Sequence, residues 1–121
     1  MDTERDLTQE VIGCAMAISR ILGCGFLETV YERALAHALR KRGLSVEAQR
    51  PFAVVYDGVV VGEYRADLVI GGRVIVEVKA VRAIDPVHHA QLLNYLKASR
   101  LHVGLILNFG TPRLGIKRLV Y

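Results

Sequence analysis

The sequence predicts a single α/β domain whose elements run ααβββαββ, and three observations carry that expectation. Apolar residues recur with a period near 3.6 through the first third of the chain. The period drops to two between residues 46 and 81, and a capped helix then leads into an almost uninterrupted apolar strand. At 121 residues the chain fits one domain over 1–121, with enough core to fold without disulfides or structural metals.

Each element has its own reason. Leu7, Val11, Ile12, Ala15, Ile18 and Leu22 fall on one stripe of a first helix, which Gly23-Cys24-Gly25 ends. A second helix is expected from about Phe26 to Arg42, with Leu27, Val30, Ala34, Leu35, Ala38 and Leu39 facing inward. Arg40-Lys41-Arg42 complement the negative end of its dipole, and Gly43 stops it. Strands are expected over Val46 to Tyr56, Val59 to Ile70 and Arg73 to Val81, a meander turned by Asp57-Gly58 and Gly71-Gly72. Asp85-Pro86 offers an N-cap and a first helical residue for a helix to about Ser99. Val103 to Phe109 reads as a strand buried on both faces, and Ile116 to Tyr121 as a short last strand.

Composition removes several classes. With 52% hydrophobic residues, 7% aromatic and no tryptophan, a packed domain is expected and disorder is not. No apolar run reaches the roughly 20 residues of a membrane helix, and the start lacks the basic-then-apolar order of a secretory signal, so a cytoplasmic location is expected. Cys14 and Cys24 form no CxxC pair and read as two small buried hydrophobes. The net charge of +4 favours a polyanionic partner, though weakly.

The charges of the third strand, Glu77 and Lys79, interrupt a β-branched run that otherwise suits a sheet interior. Their meaning depends on register. If the preceding turn uses Gly71, Gly72 and Arg73, Ile70 faces Val74 and Asp67 faces Glu77, with Lys79 on the same face. A two-residue turn instead puts Asp67 opposite Val76 and separates the carboxylates. In the first register two carboxylates lie about 5 Å apart at Cβ, which calls for a proton or a cation between them. An oxygen-rich site of that kind suits Mg²⁺ or Mn²⁺, which pair naturally with substrate phosphates, and Lys79 could orient the attacking water. In the following helix His88, Gln91 and Tyr95 share a stripe while Leu92, Leu93 and Leu96 face the sheet. Glu28, one turn before Tyr31 in the second helix, is a candidate third carboxylate.

Ala66-Asp67 followed by Glu77-Val78-Lys79 on the next strand resembles the PD-(D/E)XK nuclease superfamily. Gly25-Phe26-Leu27-Glu28-Thr29-Val30-Tyr31 is similar to the pattern of its small bacterial GxxExxY proteins, and Gln91 to Tyr95 resembles the QxxxY motif of RecB-type nucleases. The resemblance implies a restriction-endonuclease-like core, a central mixed sheet flanked by helices. It also implies Asp67, Glu77 and the Val78 carbonyl as metal ligands, Lys79 as the catalytic lysine, Glu28 as an auxiliary acid, and Gln91 and Tyr95 as accessory residues. Ala66 stands where the name motif has proline, which leaves the ligand in place.

These readings converge on a metal-dependent nuclease acting on nucleic acid, DNA before RNA, with Mg²⁺ or Mn²⁺ as cofactor. Arg65, Arg113, Lys117 and Arg118 are the candidate phosphate contacts. So small a core points to a homodimer or a protein partner for gripping substrate. The alternative is a nuclease-like fold that binds nucleic acid or protein without cutting. The bland readings are a solvated or ion-paired Glu77 and Lys79, an Asp67 neutralised by Arg65, and surface roles for His88 and His89.

Overall fold

The alternating segment folds back on itself twice, and the two turns differ. The computed structural model describes residues 3–121; Met1 and Asp2, at the start where no secretory signal is expected, lie outside them. Strands β1 (Val46–Tyr56) and β2 (Val59–Ile70) join through Asp57-Gly58, whose φ values of 52° and 74° suit the two-residue hairpin turn that follows strand twist. Between β2 and β3 (Val74–Lys79) the turn takes three residues: Ile70 sits opposite Val74, and the Arg73 N–H donates to the Ile70 carbonyl at 3.0 Å. Gly71 and Gly72 hold φ near 59° and 67°, a left-handed backbone that side chains resist. This is the register that sets Asp67 toward Glu77.

The remaining elements are α1 (Thr3–Leu22), α2 (Glu28–Lys41), α3 (Pro86–Ser99), β4 (Val103–Asn108) and β5 (Gly115–Val120). Among the described residues the sheet has five strands in the order β1-β2-β3-β4-β5. All neighbours are antiparallel except β3 and β4, which α3 connects in parallel. The mixed sheet expected at its centre is therefore present. Asp85 caps α3 through the Val87 N–H, and His88 accepts from the Asp85 N–H, so His88 completes a capping box.

The core lies in two layers. On one face α1 and α2 bury Val11, Ala15, Leu35 and Leu39 against Leu68, Ile70, Val76 and Leu105. On the other, Leu92 and Leu96 of α3 cover Val69, Ile75 and Ile106. Because helices cover both faces, β3 and β4 are nearly wholly buried, as parallel neighbours require.

Three expectations need correction. Leu27 and Val30 are exposed: α2 starts at Glu28, Leu27 is its extended N-cap, and the buried stripe is Tyr31, Leu35 and Leu39. Cys24 is also exposed, in the loop that Gly23 and Gly25 shape, whereas Cys14 is buried. The third and fourth strands stop at Lys79 and Asn108, short of Val81 and Phe109, because the chain leaves the sheet there through side-chain hydrogen bonds.

Substituting Gly72→Ala forces a Cβ into a positive-φ position with open space around it, so the cost is conformational. A loss of about 1 kcal/mol is expected in urea unfolding, with an unchanged m-value.

Candidate functional site

β2 loses its alternation at one residue. Ala66 packs on the α3 face and Leu68 on the α1/α2 face, although residues two apart in a regular strand share a face. The kink falls at Asp67. Opposite it in β1 stands Gln49 with φ 54°, a position that no regular strand residue adopts. The β2–β3 ladder runs from Ile70–Val74 to Leu68–Val76, and beyond it side chains take over. The Asp67 N–H donates to Glu77 Oε2 at 2.9 Å, and the Val78 N–H donates to Asp67 Oδ2 at 2.8 Å. Each carboxylate thus completes the backbone of the other strand.

That reciprocity brings two acids together in a largely buried place. Burial pushes the Glu77 carboxyl up to about 8, with the Asp67 charge as the second cause. Asp67 is also raised, by burial, against the Val78 N–H and Lys79, which favour its ionised form. Lys79 follows Glu77 by two residues along β3 and its charge lowers both carboxyls, yet no ion pair within 4 Å joins it to either among the described residues. The simple ion-pair reading of Glu77 and Lys79 is therefore not what the structure contains. Arg65 likewise turns from Asp67: it donates to the Gln49 carbonyl at 3.3 Å and lies 3.7 Å from Glu63.

The α2 helix adds acids from the other layer. Glu28 Oε2 accepts the Ala80 N–H at 3.2 Å, which sets this carboxylate beside the end of β3. One turn on, Glu32 accepts from Gln49 Nε2 at 2.8 Å, and the same nitrogen reaches Asp67 Oδ1 at 3.5 Å. Burial raises Glu32, the Gln49 hydrogen bond opposes that, and the Asp67 charge adds to it. Tyr31 explains how the helix is held: its hydroxyl donates to the Gly23 carbonyl at 2.6 Å and accepts from the Phe26 N–H, and its ring stacks on Phe109 at 4.6 Å.

The α3 residues are less closely gathered. Tyr95 stacks face to face on Tyr64 at 3.8 Å, and the Tyr64 hydroxyl donates to the Tyr95 carbonyl at 2.7 Å. Burial raises both phenols, Tyr64 to about 12, and the Glu77 charge contributes to each. The stack continues through Phe52 to the Arg50 guanidinium. Gln91 is exposed one turn away. Nor do the basic candidates share one surface. Arg65 is on β2, Lys117 and Arg118 point to opposite faces of β5, and Arg113 lies in the loop before it. At about 4.8 Å per strand, β2 and β5 stand roughly 14 Å apart.

Sequence reasoning missed Gln49, Glu32, Tyr64 and Asn108. Asn108 had a signal, a polar residue closing an apolar strand, since a buried amide must find partners. For Gln49 no signal exists, because its role follows from a kink in the neighbouring strand.

Among the described residues no three His, Cys, Asp or Glu side chains are already disposed around a metal position. The Asp67 and Glu77 pair still fits a hard divalent cation: both donors are oxygens, their negative charges repel when both are ionised, and among the described residues Asp67 Oδ1 has only the long Gln49 contact. Among the described residues no helix is long and apolar enough to cross a membrane.

A family model described as the PD-(D/E)XK nuclease superfamily matches residues 5–119. A protein solved as "Crystal structure of SSO0001" is similar in fold, with a TM-score of 0.57 and 21% identity over 97% of this chain. The chain spans 58% of that structure's length. No curated protein matches the chain.

Glu77 makes the metal-free protein sensitive to pH. Its carboxyl releases the proton at about 8 when folded and near 4.5 when unfolded, so between these values the folded chain binds more protons. Stability should therefore fall as pH rises from about 4.5 to 8. Urea midpoints in EDTA across that window should decline for the wild type and decline less for Glu77→Gln.

Proposed function

Because the chain belongs to the PD-(D/E)XK nuclease superfamily, we propose that it is a metal-dependent nuclease hydrolysing phosphodiester bonds, with DNA as the preferred substrate. The observation that carries this reading is the reciprocal pairing of Asp67 and Glu77, which gathers two carboxyl groups where a strand end opens beside Lys79. We place it among the small bacterial GxxExxY proteins, on Gly25, Glu28 and Tyr31.

Asp67, Glu77 and the Val78 carbonyl would hold Mg²⁺ or Mn²⁺, which supplies Lewis acidity and charge neutralisation at the scissile phosphate. Lys79 orients a water by hydrogen bonding and offsets charge on the phosphoryl oxygens as the new P–O bond forms and the bond to the leaving oxygen breaks. Glu28, already tied to the Ala80 N–H, keeps the strand end in place and adds negative field beside the metal. Gln91 and Tyr95 line the approach from α3, with the Tyr64 stack fixing the Tyr95 ring. Arg65 on β2, and Lys117 and Arg118 on opposite faces of β5, suit separate contacts to a substrate backbone around the domain rather than one closed pocket. A homodimer or protein partner would enlarge that grip.

The test is cleavage of labelled single- and double-stranded DNA and RNA with Mg²⁺, Mn²⁺ or EDTA. Metal-dependent cutting is expected, and Asp67→Ala and Lys79→Ala should each lower it at least 10²-fold while remaining folded. If the wild type cuts nothing with any metal the reading fails, and if it also binds no Mn²⁺ in calorimetry the charges at the strand end are structural.

A further inference from the structure

Resting on the nuclease reading, we infer that Asn108, with Gly110, is a positioning element that aims Lys79. The segment that follows Lys79 leaves the sheet, and a strand end with no ladder beyond it would be free to fray. Here it is held at every residue. The Phe109 N–H donates to the Lys79 carbonyl at 2.8 Å, Glu28 takes the Ala80 N–H, and Asn108 binds Val81 on both sides.

The Asn108 amide is used with little to spare. Its Oδ1 accepts from the N–H groups of Val81 and Gly110, both at 3.0 Å, and its Nδ2 donates to the Val81 carbonyl at 3.0 Å. Two N–H groups on one side and a carbonyl on the other fix which end is oxygen, since the flipped amide would set donors against donors. Asn108 is only 2% exposed, and Gly115 opposite it in β5 leaves its side chain room, a Cβ there meeting the Asn108 Cβ at 3.2 Å.

Gly110 completes the clamp by having no side chain. A Cβ at that position would lie 2.3 Å from the Val81 carbonyl oxygen and 2.6 Å from the Ala80 carbonyl carbon, both backbone atoms. The 80–81 segment can close onto β4 only because this residue is glycine. Lys79 pairs with Asn108 across the parallel ladder, so fixing the backbone on both sides of Lys79 fixes the direction of its Cβ and hence the reach of its amine. A misplacement of about 1 Å at a reacting group costs on the order of 10²-fold in rate.

The experiment measures single-turnover cleavage, substrate affinity in Ca²⁺ and thermal stability for Asn108→Ala, Asn108→Asp and Gly110→Ala. Val11→Ala, buried in α1, is the control for destabilisation alone. At a temperature where all are folded, Asn108→Ala and Gly110→Ala should cut about 10²-fold more slowly with affinity within about two-fold of wild type. Asn108→Asp keeps the acceptor oxygen and loses the donor, so its rate should fall between. Val11→Ala should cut at the wild-type rate. If Asn108→Ala cuts as fast as wild type, or if Val11→Ala slows as much, Asn108 only stabilises the fold and the inference is overturned. If the wild type itself cuts nothing with any metal, the nuclease reading fails and takes this role with it.

Discussion

The exchange of hydrogen bonds between Asp67 and Glu77 is the constraint on which the rest of the site depends. Where β2 and β3 part, two backbone N–H groups lose their ladder partners, and an unpaired buried N–H costs about as much as a lost hydrogen bond. Each is satisfied by the carboxylate of the opposite strand. The acids are thereby fixed to the backbone rather than held by mobile side-chain contacts. The same bonds hold Glu77 in a buried place beside the Asp67 charge, and burial first, then that charge, makes Glu77 hold its proton to about 8. A bound cation can take the place of that proton and leave both carboxyls ionised, and the geometry that receives it exists before anything binds.

Around that pair the fold supplies ties from each layer. Glu28 reaches the end of β3, Tyr31 ties the loop after α1 to α2 and stacks on Phe109, and Asn108 holds the exit of β3 against β4. The α3 layer contributes differently: its contact is a ring stack through Tyr95 and Tyr64, which anchors the helix to β1 and β2 without a charge. Hydrogen bonds to the end of β3 thus come from α2 and β4, whereas α3 is tied to β2 by a ring stack and one hydroxyl. The hairpin tip beyond them is different again. Val54, Val55, Tyr56, Val59, Val60 and Val61 are all substantially exposed, in the part of the hairpin that β3 does not reach.

By itself the sequence determined the element order, and with it the class. The periods of 3.6 and 2, the Asp57-Gly58 and Asp85-Pro86 signals, and the apolar run from 103 to 109 act mainly through neighbours in the chain, and the tertiary context here left each element in place. It also narrowed the site to Asp67, Glu77 and Lys79, leaving two registers open. What only the tertiary structure decided was the choice between them and everything that acts at long range. The turn uses three residues, and the carboxylates pair through backbone groups rather than side by side. Gln49 takes a left-handed conformation opposite a kink, Leu27 stands outside α2 as its N-cap while Val30 falls off the buried stripe of Tyr31, Leu35 and Leu39, and Arg65 turns away from Asp67. Each of these depends on where another strand or helix lies, and no local pattern of residue types carries that information.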